Sequence, residues 1–168
     1  FGHIQASPDG QLCYCGKIGC LETIASGSAL VKKAIDKIAS GKSTAIQKLS
    51  NNNLNDIKVA TIIEAAQGGD QFAIELLEEA GEYLARGIST LIHLFNPEMI
   101  ILGGELADAG NLLMYPIQQK MNKYTMLRLK LETQIVISEL KEKSGLLGTI
   151  PSVMSKIFSL QSDQPNAN

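Results

Sequence analysis

Apolar positions recur at three- and four-residue spacings through most of the chain, the pattern of helices that bury one face. Leu30, Val31, Ala34, Ile35 and Ile38 predict a helix that ends near Gly41. Val59, Ile62, Ile63 and Ala66 predict a short helix over 58–67, closed by Gly68-Gly69. Asp70 then has the position and chemistry of an N-cap for a long helix reaching about Phe95. Its stripe runs Ala73, Leu76, Leu77, Ala80, Leu84, Ile88, Leu91 and Phe95, and His93 falls on the polar face. Between these helices, 42–55 is rich in Lys, Ser and Asn and reads as a polar connection or mobile excursion outside the core.

The pattern changes at Asn96-Pro97, which stops the long helix. Met99-Ile100-Ile101-Leu102 is a continuous apolar run, as expected of a short strand buried on both faces. Gly103 and Gly104 follow at its carboxyl end, where ligands bind in open α/β sheets; a simple turn is the plainer use of the pair. Beyond lie a helix over 111–123 carrying Leu112, Ile117 and Met121, a second strand around Ile135, Val136 and Ile137, and a last helix over 144–158. Residues 161–168 are polar and read as a frayed tail. The whole is a helix-rich α/β arrangement with a small sheet, one domain over 1–160.

Composition narrows the function. A formal net charge of -2 and a pI near 5.7 exclude a basic nucleic-acid-binding surface as the dominant feature. Lys32, Lys33 and Lys37 form only a small basic cluster. No apolar run is long enough to span a bilayer and no signal peptide opens the chain, so it reads as cytoplasmic with no membrane insertion. It opens on Phe1-Gly2-His3 without a Met, which predicts that it is the C-terminal part of a longer protein.

The chemistry concentrates at the start. One of the two histidines and all three cysteines fall within residues 3–20. An odd count, with Cys13 and Cys15 one residue apart, disfavours disulfides. His3, Cys13, Cys15 and Cys20 supply three thiolates and one imidazole, a full donor set for a closed tetrahedral zinc site. Such a site is structural, with no open position to activate water. Two other readings use the same residues: cysteines as small buried hydrophobes beside an ordinary histidine, or a metal-free redox loop lacking the usual two-residue Cys spacing.

The stretch Gly2-His3 followed by Cys13-Tyr14-Cys15-Gly16-Lys17-Ile18-Gly19-Cys20-Leu21-Glu22 resembles the ROK family of sugar-responsive repressors and sugar kinases at every position of its zinc-loop motif. Asn96-Pro97, the apolar strand and Gly103-Gly104 are a second match. The resemblance implies the C-terminal lobe of an actin-like, ribonuclease-H-like sugar kinase fold. It implies zinc on His3, Cys13, Cys15 and Cys20, and sugar contacts from Glu22 and the far side of His3. For Glu22 the plainer alternative is a carboxylate placed at a helix N-terminus. In a kinase of the family, Gly103 and Gly104 would lie near ATP and its Mg2+. The family's phosphate-binding segment and catalytic aspartate cannot be assigned in this chain, and a further sugar-binding glutamate would precede Phe1. As it stands, the segment is expected not to be an enzyme. The wording Cys-Leu-Glu-Thr-Ile-Ala-Ser is similar to N-acetylglucosamine-type repressors. That implies a sugar or sugar-phosphate effector, DNA bound through an N-terminal domain outside this chain, and a homodimer or tetramer. The alternative is the C-terminal half of an ATP-dependent sugar kinase.

Overall fold

The computed structural model describes residues 1–139 and Met154, and the last helix and tail expected over 144–168 otherwise lie outside the described residues. A loop over 1–21 leads into helices α1 (Glu22–Ala25) and α2 (Gly27–Ala39). Helices α3 (Ala45–Leu49), α4 (Val59–Gln67) and α5 (Gln71–Phe95) follow, then strand β1 (Met99–Leu102). Helices α6 (Asn111–Tyr124) and α7 (Leu127–Glu132) return the chain to strand β2 (Gln134–Ile137). The two strands pair in parallel, Met99 opposite Gln134 and Leu102 opposite Ile137. Parallel neighbours need a crossover, and α6 with α7 supplies it. Among the described residues, no helix is long and apolar enough to cross a membrane.

Helix α5 is the axis of the fold, packing on α1, α2, α4, α6 and α7. Its start behaves as its sequence predicts: the Asp70 carboxylate accepts the Ala73 N–H at 2.9 Å. The same carboxylate also accepts the Ala45 N–H at 2.7 Å and the Thr44 hydroxyl at 2.9 Å. One acid therefore caps two helices. It explains why 42–55 is not a polar excursion: Ile46 of α3 is fully buried, and Thr44 and Ser50 are buried beside it.

The stripe on α5 also differs from expectation in its second half. Leu84 and Leu91 are only half-buried and Phe95 is 71% exposed, while Ala85, Ser89 and Ile92 are buried. Leu77, Leu84 and Leu91 follow a seven-residue repeat, which lags an α-helix by about 20° per heptad. Over a 25-residue helix the core-facing side rotates away from them. Similarly, Leu113 rather than Leu112 is fully buried in α6. Ser89 donates to the Ala85 carbonyl at 2.7 Å, which leaves its oxygen to accept from the buried Thr125 hydroxyl at 2.5 Å and so ties α5 to the end of α6.

β1 is not buried on both faces: among the described residues Met99 and Ile101 are 48% and 63% exposed, while Ile100 and Leu102 pack against the core. His93 is exposed, as its polar-face position predicts, and its Nε2 accepts the Met126 N–H at 3.2 Å where α7 begins. The helix α7 itself is hidden in the sequence because Leu127, Leu129 and Leu131 alternate like a strand.

Two tests follow from this packing. Asp70→Ala removes the acceptor for both helix starts and is expected to destabilise the protein by about 2–3 kcal/mol in urea unfolding, more than a single cap costs. A loss below about 1 kcal/mol would show that α3 is held without it. The second concerns Glu82 on α5, which accepts from Lys120 at 2.7 Å, from the Tyr124 hydroxyl at 2.7 Å and from Arg86 at 2.9 Å. The Lys120 ammonium first, then Tyr124 and Arg86, lower its carboxyl from 4.5 to about 2. A depressed carboxyl stabilises the fold above its ordinary value and loses that contribution as pH falls through the folded value. The gap in melting temperature between wild type and Glu82→Gln should therefore be full at pH 6 and shrink from about pH 4.5 towards pH 2; a constant gap would contradict it.

Candidate metal centre and adjoining cavity

The first twenty-two residues are held by backbone pairing between two short stretches. The Leu21 N–H donates to the Ile4 carbonyl at 2.9 Å, the Ala6 N–H to Gly19 at 2.8 Å and the Glu22 N–H to Gly2 at 2.8 Å. Gln5 and Cys20 form an antiparallel bridge, as do Leu12 and Ile18 further out. At the tip, the Gly16 N–H donates to Cys13 at 2.9 Å and the Cys13 N–H to Lys17 at 2.8 Å, which folds 13–17 into a knuckle. Gly19 is required where the stretches meet: it has φ +72°, and a Cβ there would fall 1.5 Å from the Ser7 carbonyl oxygen.

This pairing brings together the four side chains that the sequence singles out. The donor atoms of His3, Cys13, Cys15 and Cys20 all lie within 4.8 Å of one another. His3 Nδ1 is 3.6 Å from Cys13 Sγ, and Cys15 Sγ is 3.6 Å from Cys20 Sγ. A tetrahedral zinc with sulfur at about 2.3 Å and nitrogen at about 2.0 Å places its ligand atoms roughly 3.6–3.8 Å apart, so the donor set fits that ion in number, chemistry and spacing. The cysteines are free thiols.

The rest of the loop does not behave as a hydrophobic core. Leu12, Tyr14 and Ile18 are 73%, 85% and 50% exposed, whereas the Cys13 and Cys20 side chains are buried and Cys15 is exposed. A segment that buries so little apolar surface needs another staple, and a metal is one such staple. Burial, with the neighbouring Cys15 and Cys13 groups, pushes the Cys20 thiol up to about 11. The Lys17 backbone N–H beside Cys15 pulls that thiol down. A coordinated cation overrides both influences, because a coordinating thiol is deprotonated outright. The Lys17 ammonium donates to the His3 carbonyl at 2.5 Å, close enough to offset the net negative charge that three thiolates and one divalent ion would carry.

Glu22 is the first residue of α1, and its carboxylate lies close against Gly2. It lines a cavity of about 440 Å3 with Ser26, Ser28, Gly103, Gly104 and Glu105. The structure thus joins Glu22 to the glycine pair at the end of β1, residues some eighty positions apart. His3 is not among the residues lining that cavity; its Nε2 faces the Tyr14 hydroxyl at 3.0 Å. Tyr14, Lys17 and Glu105 carry contacts at these two places that sequence reasoning missed. Tyr14 occupies the unspecified position of the Cys-x-Cys motif, and Glu105 follows the glycine pair, so neither has a positional signal.

Comparison with known proteins decides the family, since residues 1–155 match the description "ROK family". The chain belongs to the ROK family. It is 34% identical over 145 residues to the DNA-binding transcriptional dual regulator NagC of Escherichia coli K12, a match covering 86% of this chain and 34% of that protein. It is 32% identical over 156 residues to the glucokinase of Thermotoga maritima, covering 93% of this chain and 49% of the enzyme. Among solved structures it is similar to a ROK glucokinase from Streptomyces griseus in complex with glucose and AMPPNP. There the TM-score is 0.78, with 34% identity over 88% of this chain and 48% of that one. The chain therefore spans about a third of the regulator and about half of the kinases. The helix-rich α/β architecture with its small parallel sheet is that of ROK and actin-like sugar kinases.

The close approach at Gly19 yields a discriminating pair of variants. Gly16 also has a left-handed backbone, φ +86°, but a Cβ there meets nothing within 4 Å. Gly16→Ala should cost only the left-handed penalty, about 1–2 kcal/mol. Gly19→Ala adds a clash with backbone, and is expected to abolish hydrogen-exchange protection at Ala6 and Leu21 while α5 keeps its own. Equal effects from the two variants would contradict the packing described.

Proposed function

We propose that this ROK chain is the sugar-sensing part of a transcriptional regulator of carbohydrate metabolism. In this reading His3, Cys13, Cys15 and Cys20 hold a structural zinc, and Glu22 binds a sugar in the adjoining cavity. The observation that carries the choice is the charge of that cavity. Among the described residues its lining holds two carboxylates, Glu22 and Glu105, and no Lys, Arg or His. Carboxylates accept hydrogen bonds from sugar hydroxyls, whereas they repel the phosphates of a nucleotide or a sugar phosphate. The ligand that this lining favours is a neutral hexose or N-acetylhexosamine. Zinc when bound would hold the four side chains together, and the chain's own residues do the rest: Leu21 anchors the loop in the core and Glu22, next in sequence, presents its carboxylate to the cavity.

The output follows the regulator relative. DNA would be bound by a part of the protein outside this chain, within a homodimer or tetramer in the cytoplasm. Sugar acts by favouring one arrangement of the protein over another. A nearly complete switch needs about 5.5 kcal/mol of differential binding between the two states. The second reading, half of an ATP-dependent sugar kinase, is supported by the glucokinase relative and by Gly103 and Gly104 at the cavity wall. There ATP with Mg2+ would lie near the glycine pair.

The test uses the intact protein with its metal, incubated with ATP and a panel of hexoses and N-acetylhexosamines. A regulator is expected to gain several degrees of melting temperature from one sugar at about 100 times its Kd, with no sugar-dependent ADP release. Glu22→Gln should lose most of that stabilisation. Turnover at ordinary enzyme rates would overturn the regulator reading in favour of the kinase.

A further inference from the structure

We propose that the metal loop is a site of reversible oxidation, at which a peroxide joins Cys15 to Cys20 in a disulfide and the loop gives up its metal. This site rests on the metal reading above and adds a modification to it. Burial singles out where the oxidant enters: Cys15 is exposed, while Cys13 and Cys20 are 3% and 0% exposed. A Cβ on the next residue, Gly16, would meet nothing within 4 Å, so no other part of the chain covers the approach to Cys15. Geometry then singles out its partner. Cys15 Sγ lies 3.6 Å from Cys20 Sγ, and a disulfide needs about 2.05 Å. The residues that must move to close that gap, 15–18, are all exposed, so the core does not resist the step. Cys13 is a poor partner for Cys15 because only one residue separates them.

The chemistry runs in two steps with hydrogen peroxide as the oxidant. In the first, the Cys15 sulfur attacks one peroxide oxygen: the S–O bond forms as the O–O bond breaks, and the other oxygen takes a proton and leaves as water. In the second, the Cys20 sulfur attacks Cys15. The S–S bond forms as the S–O bond breaks, and the oxygen leaves as a second water with a proton from solvent. Two thiolates have then lost two electrons, and one peroxide has become two waters. Of the four donors only His3 and Cys13 remain, half of a closed zinc site. The exposed apolar side chains Leu12, Tyr14 and Ile18 do little to hold the loop shut once the metal goes. In the proposed reading the same opening would free Leu21 and Glu22, so an oxidant would silence the sugar response.

The test uses the intact, zinc-loaded protein, with metal content measured before any oxidant is added. Hydrogen peroxide is then titrated beside a chromophoric chelator too weak to strip the metal on its own. Expected is the release of one zinc per chain, with a Cys15 to Cys20 disulfide and a free Cys13 thiol found by fragmentation mass spectrometry. Dithiothreitol with added zinc should restore both the metal and the free thiols. Zinc retained at a peroxide dose that fully oxidises free cysteine would overturn the oxidation site while leaving the metal reading intact. So would release with Cys13 in the disulfide, or with sulfinic acid in place of any disulfide. A protein that takes up no zinc in the first measurement would overturn the metal reading itself, and the oxidation site with it.

Discussion

The pairing of residues 2–6 with 19–22 is the constraint on which the chemistry depends. Three backbone hydrogen bonds, Leu21 to Ile4, Ala6 to Gly19 and Glu22 to Gly2, close a loop whose apolar side chains point mostly into solvent. That closure sets His3 beside Cys20, sinks Leu21 into the core and leaves Glu22 at the cavity wall. Three consecutive residues thus serve a metal ligand, a core anchor and a sugar contact in the proposed reading. Their directions are coupled because one short backbone segment fixes all three. Hydrophobic burial alone gives this loop little reason to stay closed. In the proposed reading a four-donor metal site would supply the missing free energy, as binding at a structural site is also folding free energy.

The second support is α5, which meets nearly every other helix and carries the strand that ends in Gly103-Gly104. Its position makes the cavity a junction between the loop at the chain's start and the sheet about eighty residues later. The acidic lining at that junction is what the proposed reading rests on. In that reading a neutral polyhydroxyl ligand would gain hydrogen bonds there, while among the described residues of the lining no cationic side chain faces a polyphosphate. Family membership alone leaves both open, because a DNA-binding regulator and glucokinases are similar to the chain to nearly the same degree.

Much of this was legible in the residues. The caps and breakers at Asp70, Gly68-Gly69 and Asn96-Pro97 mark element ends by local chemistry, and they fall where the structure has them. The gathering of His3, Cys13, Cys15 and Cys20 was legible because residue type and spacing are both constrained. What escaped depends on long-range contacts. Ile46 and Thr44 look like part of a polar linker until the Asp70 carboxylate, twenty-five residues away, is seen to cap α3. Leu84 and Phe95 fit a stripe that a long helix rotates out of register. Met99 and Ile101 look like core because an apolar run does not say which of its faces is covered. The contact of Tyr14 with His3 escaped because a position between two cysteines carries no pattern of its own.

The account stands most directly on the metal. X-ray absorption at the zinc edge on the purified intact protein, with metal content measured on the same sample, tests it. The account predicts one zinc per chain with three sulfur neighbours at about 2.3 Å and one nitrogen at about 2.0 Å. A protein that folds fully with no zinc, or one whose zinc is bound mainly by oxygen, would contradict it.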